Sequence, residues 1–86
     1  MTQISNRPFN TIEIGDSCNR KHTVSEEDLL LFARASGDLN PLHLDTEYAA
    51  TTPFKQRIAH GMFTGGLISA ALAMDLPGPG TIYLSQ

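Results

Sequence analysis

The chain has little cysteine and few basic residues, and both shortages exclude classes of protein. Its single cysteine, Cys18, cannot form an internal disulfide bond, which favours a reducing compartment, and no Cys/His spacing is typical of a zinc site. Six basic residues against nine acidic ones give a net charge of −3, without the basic patch that nucleic acids attract. We therefore expect no metal, no cofactor and no nucleic-acid partner.

The sequence also lacks a long apolar run. Residues 1–10 contain no apolar segment typical of a signal peptide. The longest apolar stretch, residues 62–76, is interrupted by Thr64, Ser69 and Asp75 and is too short to span a bilayer. We therefore expect a soluble cytoplasmic protein without a membrane partner.

With 86 residues, 41% of them apolar, the chain has the size and composition of one small globular domain. A first helix is predicted from Ser25 to about Ala35. The Ser25 hydroxyl can cap free N–H groups, three acidic residues follow it, and apolar residues then recur at helical spacing. Gly37 is predicted to end this helix.

The segment 38–45 has no clear helical pattern. Asn40 precedes Pro41, which predicts an extended or turn geometry. If the segment is extended, Leu42 and Leu44 face one way and His43 faces the other. Asp45 is predicted to cap a short helix over 47–50.

The second main helix is predicted over residues 61–76, and the Pro-Gly-Pro-Gly run at 77–80 stops it. Its residues are apolar on almost all sides, which indicates a helix buried on almost all sides. Residues 18–24 and 81–84 are predicted to be strands. Two short strands cannot wrap a buried helix, so we expect the chain to be a truncated piece of a larger domain or one that partner chains complete.

Three runs in order along the chain carry a resemblance to a known family. They are residues 36–45 (SGDLNPLHLD), 58–62 (IAHGM) and 76–84 (LPGPGTIYL). Together they resemble the MaoC-like family, and within it the short bacterial (R)-specific enoyl-CoA hydratases that feed polyester synthesis. The resemblance covers about residues 14–86 and implies an α+β hot-dog fold, in which an antiparallel sheet wraps one central helix. Members of the family continue through further strands that are absent from these 86 residues, and they are expected to be homodimers.

Asp38 and His43 are the predicted catalytic residues. Hydration of a trans-2-enoyl thioester needs a group that takes a proton from water, and histidine exchanges protons near neutral pH. A carboxylate beside the histidine can hold the same water. The resemblance implies that both groups hold one water, whose oxygen and proton add to the same face of an acyl-CoA substrate. The residues alone leave open which of the two is the base.

Three further residues are candidates for binding the substrate. Gly61 starts the buried helix, where free N–H groups favour negative charge, and the resemblance implies that its N–H binds the thioester carbonyl. Ser69 lies about two helical turns further along the same face, and it matches a serine near the dyad in close relatives. Asn40 either contributes to the site or only orients its own turn. His60 is interpreted as a structural residue at the helix start, and His22 as a surface residue.

Other functions remain open at this point. A Ser-His-Asp hydrolase is conceivable, but the sequence contains no Gly-x-Ser-x-Gly motif, and Ser69 lies within an apolar helix. The chain is alternatively a non-catalytic thioester-binding module, or an inert fragment of a larger fusion protein. A third alternative keeps the dyad and replaces coenzyme A with acyl carrier protein.

Overall fold

The computed structural model describes residues 6–86, which form a 3-10 turn at Phe9–Thr11 and four α-helices. The helices are α1 (Glu26–Ser36), α2 (Pro41–Leu44), α3 (Thr46–Ala50) and α4 (Gly61–Met74). The chain divides into two compact units: Thr23–Thr64 forms one, and Gly65–Gln86 with the described residues up to His22 forms the other. The first five residues of segment 1–10, where no signal peptide is predicted, lie outside the described range.

Helix α1 forms as the sequence predicts. A capping box stabilises its N-terminal end, and a left-handed glycine ends it. The Ser25 hydroxyl accepts a hydrogen bond from the Asp28 N–H at 3.2 Å, and the Asp28 carboxylate accepts one from the Ser25 N–H at 2.9 Å. At the other end Gly37 adopts a left-handed conformation, with φ of 83°, and its N–H bonds the Ala33 carbonyl. Leu29 and Ala33, one turn apart, are buried.

Residues 41–44 form helix α2, so the prediction of an extended chain that separates His43 from the two leucines is wrong. Pro41 occupies the first position of α2, where its fixed φ suits a helix and its missing N–H is not needed. Asn40 precedes the helix with φ of −55° and ψ of 126°, and its side-chain oxygen accepts a hydrogen bond from the Leu42 N–H at 3.0 Å. Asp45 caps α3 as predicted, accepting hydrogen bonds from the N–H groups of Glu47 and Tyr48.

Helix α4 begins at Gly61 as predicted and ends two residues early, at Met74. Two carbonyls of its last turn accept hydrogen bonds from the residues that follow: the Asp75 and Leu76 N–H groups share the Ala71 oxygen, and the Gly78 N–H bonds the Leu72 oxygen. None of the residues of α4 is buried in the described chain, as expected of an apolar helix that two short segments cannot cover. No strand is formed within residues 6–86 to cover its faces.

The two predicted strands, at 18–24 and 81–84, are not formed in the structure. A β-strand is formed by backbone hydrogen bonds to a neighbouring strand. A high β propensity of the residues does not by itself provide that neighbour. The Thr81 N–H instead closes a turn onto the Gly78 carbonyl. The antiparallel sheet of the hot-dog fold therefore stays a prediction.

Polar contacts connect the two sequence segments of the unit that contains the chain ends. The Arg7 N–H bonds the Pro77 carbonyl at 2.8 Å, and Arg20 pairs with Asp75 at 3.2 Å. A hydrogen bond from the Glu13 N–H, with the nearby Arg7 guanidinium, lowers the pKa of Asp16. Exposed ion pairs of this kind contribute little to stability, because solvent screens their charges. None of the helices in the described range is long and apolar enough to cross a membrane.

Candidate active site

Asp38 lies in the short connection between α1 and α2, where local hydrogen bonds fix its backbone and side chain. Its N–H donates to the Ser36 hydroxyl at 3.1 Å. Its Oδ1 accepts a hydrogen bond from the Asn40 N–H, also at 3.1 Å. The residue is exposed. Asp38, between the left-handed Gly37 and the start of α2, is therefore exposed to solvent with its carboxylate fixed by a hydrogen bond.

His43 lies in α2 and is buried, with 7% of its surface exposed. Its Nδ1 is 2.8 Å from the Ile58 carbonyl oxygen, in the loop that precedes α4. A carbonyl oxygen can only accept a hydrogen bond, so Nδ1 carries the proton. In the neutral ring Nε2 then has a free lone pair, and it is the nitrogen able to accept a proton.

His60 contacts both predicted catalytic residues, although the sequence indicated only a structural role at the start of α4. Its Nε2 is 3.0 Å from the Asp38 carbonyl oxygen, and its ring stacks on that of His43 with centroids 3.8 Å apart. Only 2% of its surface is exposed. No periodicity in the sequence signals this contact, since 22 residues separate His60 from Asp38.

The structure brings Asp38, His43 and His60 into one cluster. Each offers a carboxylate oxygen or a ring nitrogen, and these three atoms lie within 4.8 Å of one another. Two hydrogen bonds of about 2.8 Å that meet at the tetrahedral angle of a water span about 4.6 Å. One water can therefore bond a carboxylate oxygen and a ring nitrogen at this separation, which is the arrangement that the predicted dyad requires.

The same three side chains are also potential metal ligands, but the stacked rings are poorly oriented for a shared ion. A metal bound by histidine lies in the plane of the ring, about 2.0–2.1 Å from the nitrogen. The planes of His43 and His60 are inclined by only 24° and are stacked face to face. An ion at bonding distance from both nitrogens would lie well outside at least one ring plane. The geometry therefore suits proton transfer better than metal binding.

Gly61 directly follows His60, so the start of α4 lies next to this cluster. Within residues 6–86 its N–H makes no hydrogen bond to another backbone group, and nothing lies within 4 Å of the position that a Cβ would take. Both features suit a group that receives a ligand oxygen. Asn40 has a structural task, because its side-chain oxygen caps α2. A role for Asn40 in binding stays a prediction.

Ser69 lies on α4 in the unit that contains the chain ends. There it lines a cavity of about 420 Å³ together with Leu72, Ala73 and residues 81–85. The walls are formed by helix α4 and by the segment that the sequence predicted as a strand. A role for Ser69 beside the dyad stays a prediction, since the dyad belongs to the other unit.

Comparison with known proteins identifies relatives over most of the chain. The (R)-specific enoyl-CoA hydratase of Rhodospirillum rubrum is 53% identical over 78 residues, which is 91% of this chain and 54% of the relative. The 3-hydroxybutyryl-CoA dehydratase of Methylorubrum extorquens is 50% identical over 78 residues, which is 91% of this chain and 50% of the relative. The chain thus spans about half the length of the curated relatives it matches.

A solved structure gives the same result. Unliganded R-hydratase PhaJ1 from Pseudomonas aeruginosa superposes with a TM-score of 0.93 at 57% identity, covering 98% of this chain and 54% of that one. The two therefore share a fold over the matched part. The family model described as "MaoC like domain" matches residues 9–83. The chain belongs to the MaoC-like domain family.

Proposed function

We propose that the complete protein catalyses the reversible hydration of a trans-2-enoyl-CoA to the (R)-3-hydroxyacyl-CoA. The observation that carries this proposal is the close approach of the Asp38 carboxylate and the His43 imidazole, with the His43 tautomer fixed by Ile58. The relatives named as an (R)-specific enoyl-CoA hydratase and a 3-hydroxybutyryl-CoA dehydratase support it, because both names describe this reaction in one direction or the other.

His43 is assigned the proton transfer and Asp38 the orientation of the water. The water oxygen forms a bond to C3 of the substrate while one of its protons passes to Nε2 of His43. The π electrons of the C2–C3 double bond move toward the thioester oxygen. His43 then returns the proton to C2, which completes the addition of H₂O and restores the neutral imidazole. Because one water and one imidazole lie on the same side of the substrate, both new bonds form on one face.

The thioester oxygen gains negative charge during this step and needs a donor. The first N–H groups of a helix have no partners within the helix, and the helix dipole favours negative charge there. Gly61 opens the 14-residue helix α4 next to the cluster, so we assign its N–H to this oxygen. We also propose that Asn40 and Ser69 contribute to binding of the substrate.

We also propose the assembly and the location of the complete protein. A hot-dog sheet wrapped around α4 is supported by the similarity to R-hydratase PhaJ1 and by the apolar side chains that α4 exposes in the described chain. The same exposed side chains support a homodimer. A cytoplasmic location is supported by the exposed free thiol of Cys18, which suits a reducing compartment.

The experiment is a chiral product assay on the full-length protein with trans-2-enoyl-CoA substrates. We expect the (R)-3-hydroxy product. We expect Asp38→Asn and His43→Gln to lower kcat by about 10²–10⁴-fold, as for other general acid–base groups, while circular dichroism shows an intact fold. His22→Gln is the matched control, because His22 is an exposed histidine in the other unit.

The outcomes of this assay separate the alternatives. An (S) product, or near-normal turnover in either dyad variant, contradicts the proposed mechanism. Binding of the thioester without turnover indicates a non-catalytic module. Turnover that occurs only when the acyl chain is carried by acyl carrier protein identifies a dehydratase of that carrier.

A further inference from the structure

His60 is the most enclosed of the polar side chains near the dyad, and the hydrogen bond that its ring makes identifies which nitrogen carries the proton. Its Nε2 lies 3.0 Å from the Asp38 carbonyl oxygen, which can only accept. Nε2 therefore carries the proton, and in the neutral ring Nδ1 does not. Nδ1 is buried and has no hydrogen-bond partner within the described chain.

This arrangement is difficult to explain by stability alone. A buried polar atom without a partner loses its hydrogen bonds to water and gains none in return, so it destabilises the folded state. A phenylalanine at this position would fill a similar volume without that loss. A reason to have histidine at this position lies in its other nitrogen, which holds the backbone of Asp38.

The ring faces of His60 supply the second contact. One neighbour is His43, whose ring is inclined by 24° at 3.8 Å, and another is Phe32, whose ring centroid lies at 4.9 Å. Phe32 in turn packs edge-on against Phe63 at 5.8 Å. His43 is therefore held at its edge by the Ile58 carbonyl and on its face by His60. Phe32 thus adds a second ring contact that restrains His60.

One side chain thus touches both members of the dyad, through its N–H on Asp38 and through its ring on His43. We propose that His60 is a positioning residue, which sets the distance between the Asp38 carboxylate and the His43 imidazole. This inference rests on the proposed hydratase function, because it assigns His60 to the same site. His60 itself does not transfer a proton, since Nε2 is engaged with a carbonyl and Nδ1 is enclosed.

Two substitutions in the full-length protein separate the two contacts. His60→Phe keeps an aromatic ring against His43 and removes the N–H that holds Asp38. His60→Gln keeps an amide N–H donor and removes the ring. We expect each to lower kcat by about 10–100-fold, because small displacements of reacting groups have effects of this size, while KM changes less than about threefold.

Thermal unfolding distinguishes positioning from a merely structural role. We expect His60→Phe to unfold at the same temperature as the wild type or higher, because it removes the unpartnered Nδ1 from the interior. A variant that is at least as stable yet slower is the signature of positioning. His22→Phe, the same substitution at the exposed histidine, is the matched control, and we expect it to keep wild-type kcat. Wild-type kcat in His60→Phe, measured well below its unfolding temperature, overturns the proposal.

Nitrogen-15 NMR of the histidine rings tests the geometry independently of activity. We expect His60 to be protonated at Nε2 only and His43 at Nδ1 only. In His60→Gln we expect the His43 signals to shift and broaden as its ring loses support. A proton on Nδ1 of His60, or His43 signals that are unchanged in His60→Gln, overturns the positioning role. If the wild type hydrates no enoyl thioester, the proposed function fails, and these spectra still decide whether His60 holds the two side chains.

Discussion

At the scale of single residues, Gly61 combines two properties that a site for a thioester oxygen needs. Its N–H belongs to the first turn of α4 and makes no hydrogen bond to another backbone group within residues 6–86. The space that a Cβ would occupy is open in the described chain, so a ligand can come close to the backbone. Two substitutions distinguish which property matters, because proline removes the N–H and alanine removes only the space.

We expect Gly61→Pro to lower kcat by about 10²–10³-fold, the usual loss when one donor to an oxyanion is removed. Proline is tolerated at the first position of a helix, so most of α4 should persist. Gly61→Ala keeps the N–H, and we expect it to keep kcat within about tenfold of the wild type, a far smaller loss than that of Gly61→Pro. Steady-state kinetics on the full-length protein measure both effects.

Circular dichroism and thermal unfolding serve as controls for Gly61→Pro, since proline also restricts the preceding residue, His60. An equal loss of kcat in both variants, with helicity unchanged, would indicate that close approach of the substrate matters and that the N–H does not.

The sequence singles out Asp38 and His43 as candidates, but it does not indicate the contacts that orient them. Asp38 and His43 carry chemistry that their residue types reveal, and they lie five positions apart. The contacts that orient them come from Ile58 and His60, which lie 15 and 22 positions away from their partners. Such contacts depend on how the loop before α4 folds back on α2. No local pattern encodes that, and histidine before a helix is common without any such contact.

At the scale of secondary-structure elements, α4 contains a glycine with no evident local need. Gly66 lies in the helix interior with ordinary helical geometry. Apart from its chain neighbours and the backbone of α4, no atom of the described chain lies within 4 Å of a Cβ built on it. Glycine in a helix interior costs about 0.5–1 kcal/mol relative to alanine. The proposed hot-dog sheet offers a reason for it, because a strand that crosses α4 closely would leave no room for a side chain.

Gly66→Ala tests this reason when it is measured in two contexts. In the 86-residue chain we expect alanine to raise the stability of α4 by about 0.5–1 kcal/mol, seen as increased helicity by circular dichroism. In the full-length protein we expect the same substitution to lower the unfolding temperature, because its methyl group meets the sheet. Stabilisation of similar size in both contexts would contradict close packing of a strand at Gly66.

The helices were predictable where their ends carry their own signals, and the strands were not. Ser25, Gly37 and Asp45 each satisfy free backbone groups within a few residues, so sequence alone locates the ends of α1 and the start of α3. Segments 18–24 and 81–84 can form strands only when neighbouring strands pair with them. The described range contains no strand that could do so. The prediction of an extended chain at 41–44 is wrong because Pro41, besides restricting Asn40, is well suited to the first position of a helix.

At the scale of the whole molecule, the described chain leaves a large apolar surface in water. On α4 alone Met62 is 68% exposed, Ile68 59% and Met74 52%. Further apolar side chains are exposed at Ile82 and Leu84. Large apolar side chains that are exposed in such number commonly mark an interface. The proposed sheet and homodimer both provide ways to cover it.

We therefore expect the isolated 86-residue chain to self-associate. Burial of one large aliphatic side chain contributes about 1.5–3 kcal/mol, so covering a few of them is comparable with the whole stability of a small domain, about 5–15 kcal/mol. Sedimentation velocity across a range of concentrations measures this. Ile68→Gln combined with Met74→Gln should reduce association, whereas Phe54→Gln, at a half-exposed site in the other unit, should have little effect. A single monomeric species at every concentration, with strongly protected α4 amides in hydrogen exchange, would contradict this prediction. It would show that one chain buries these apolar side chains by itself.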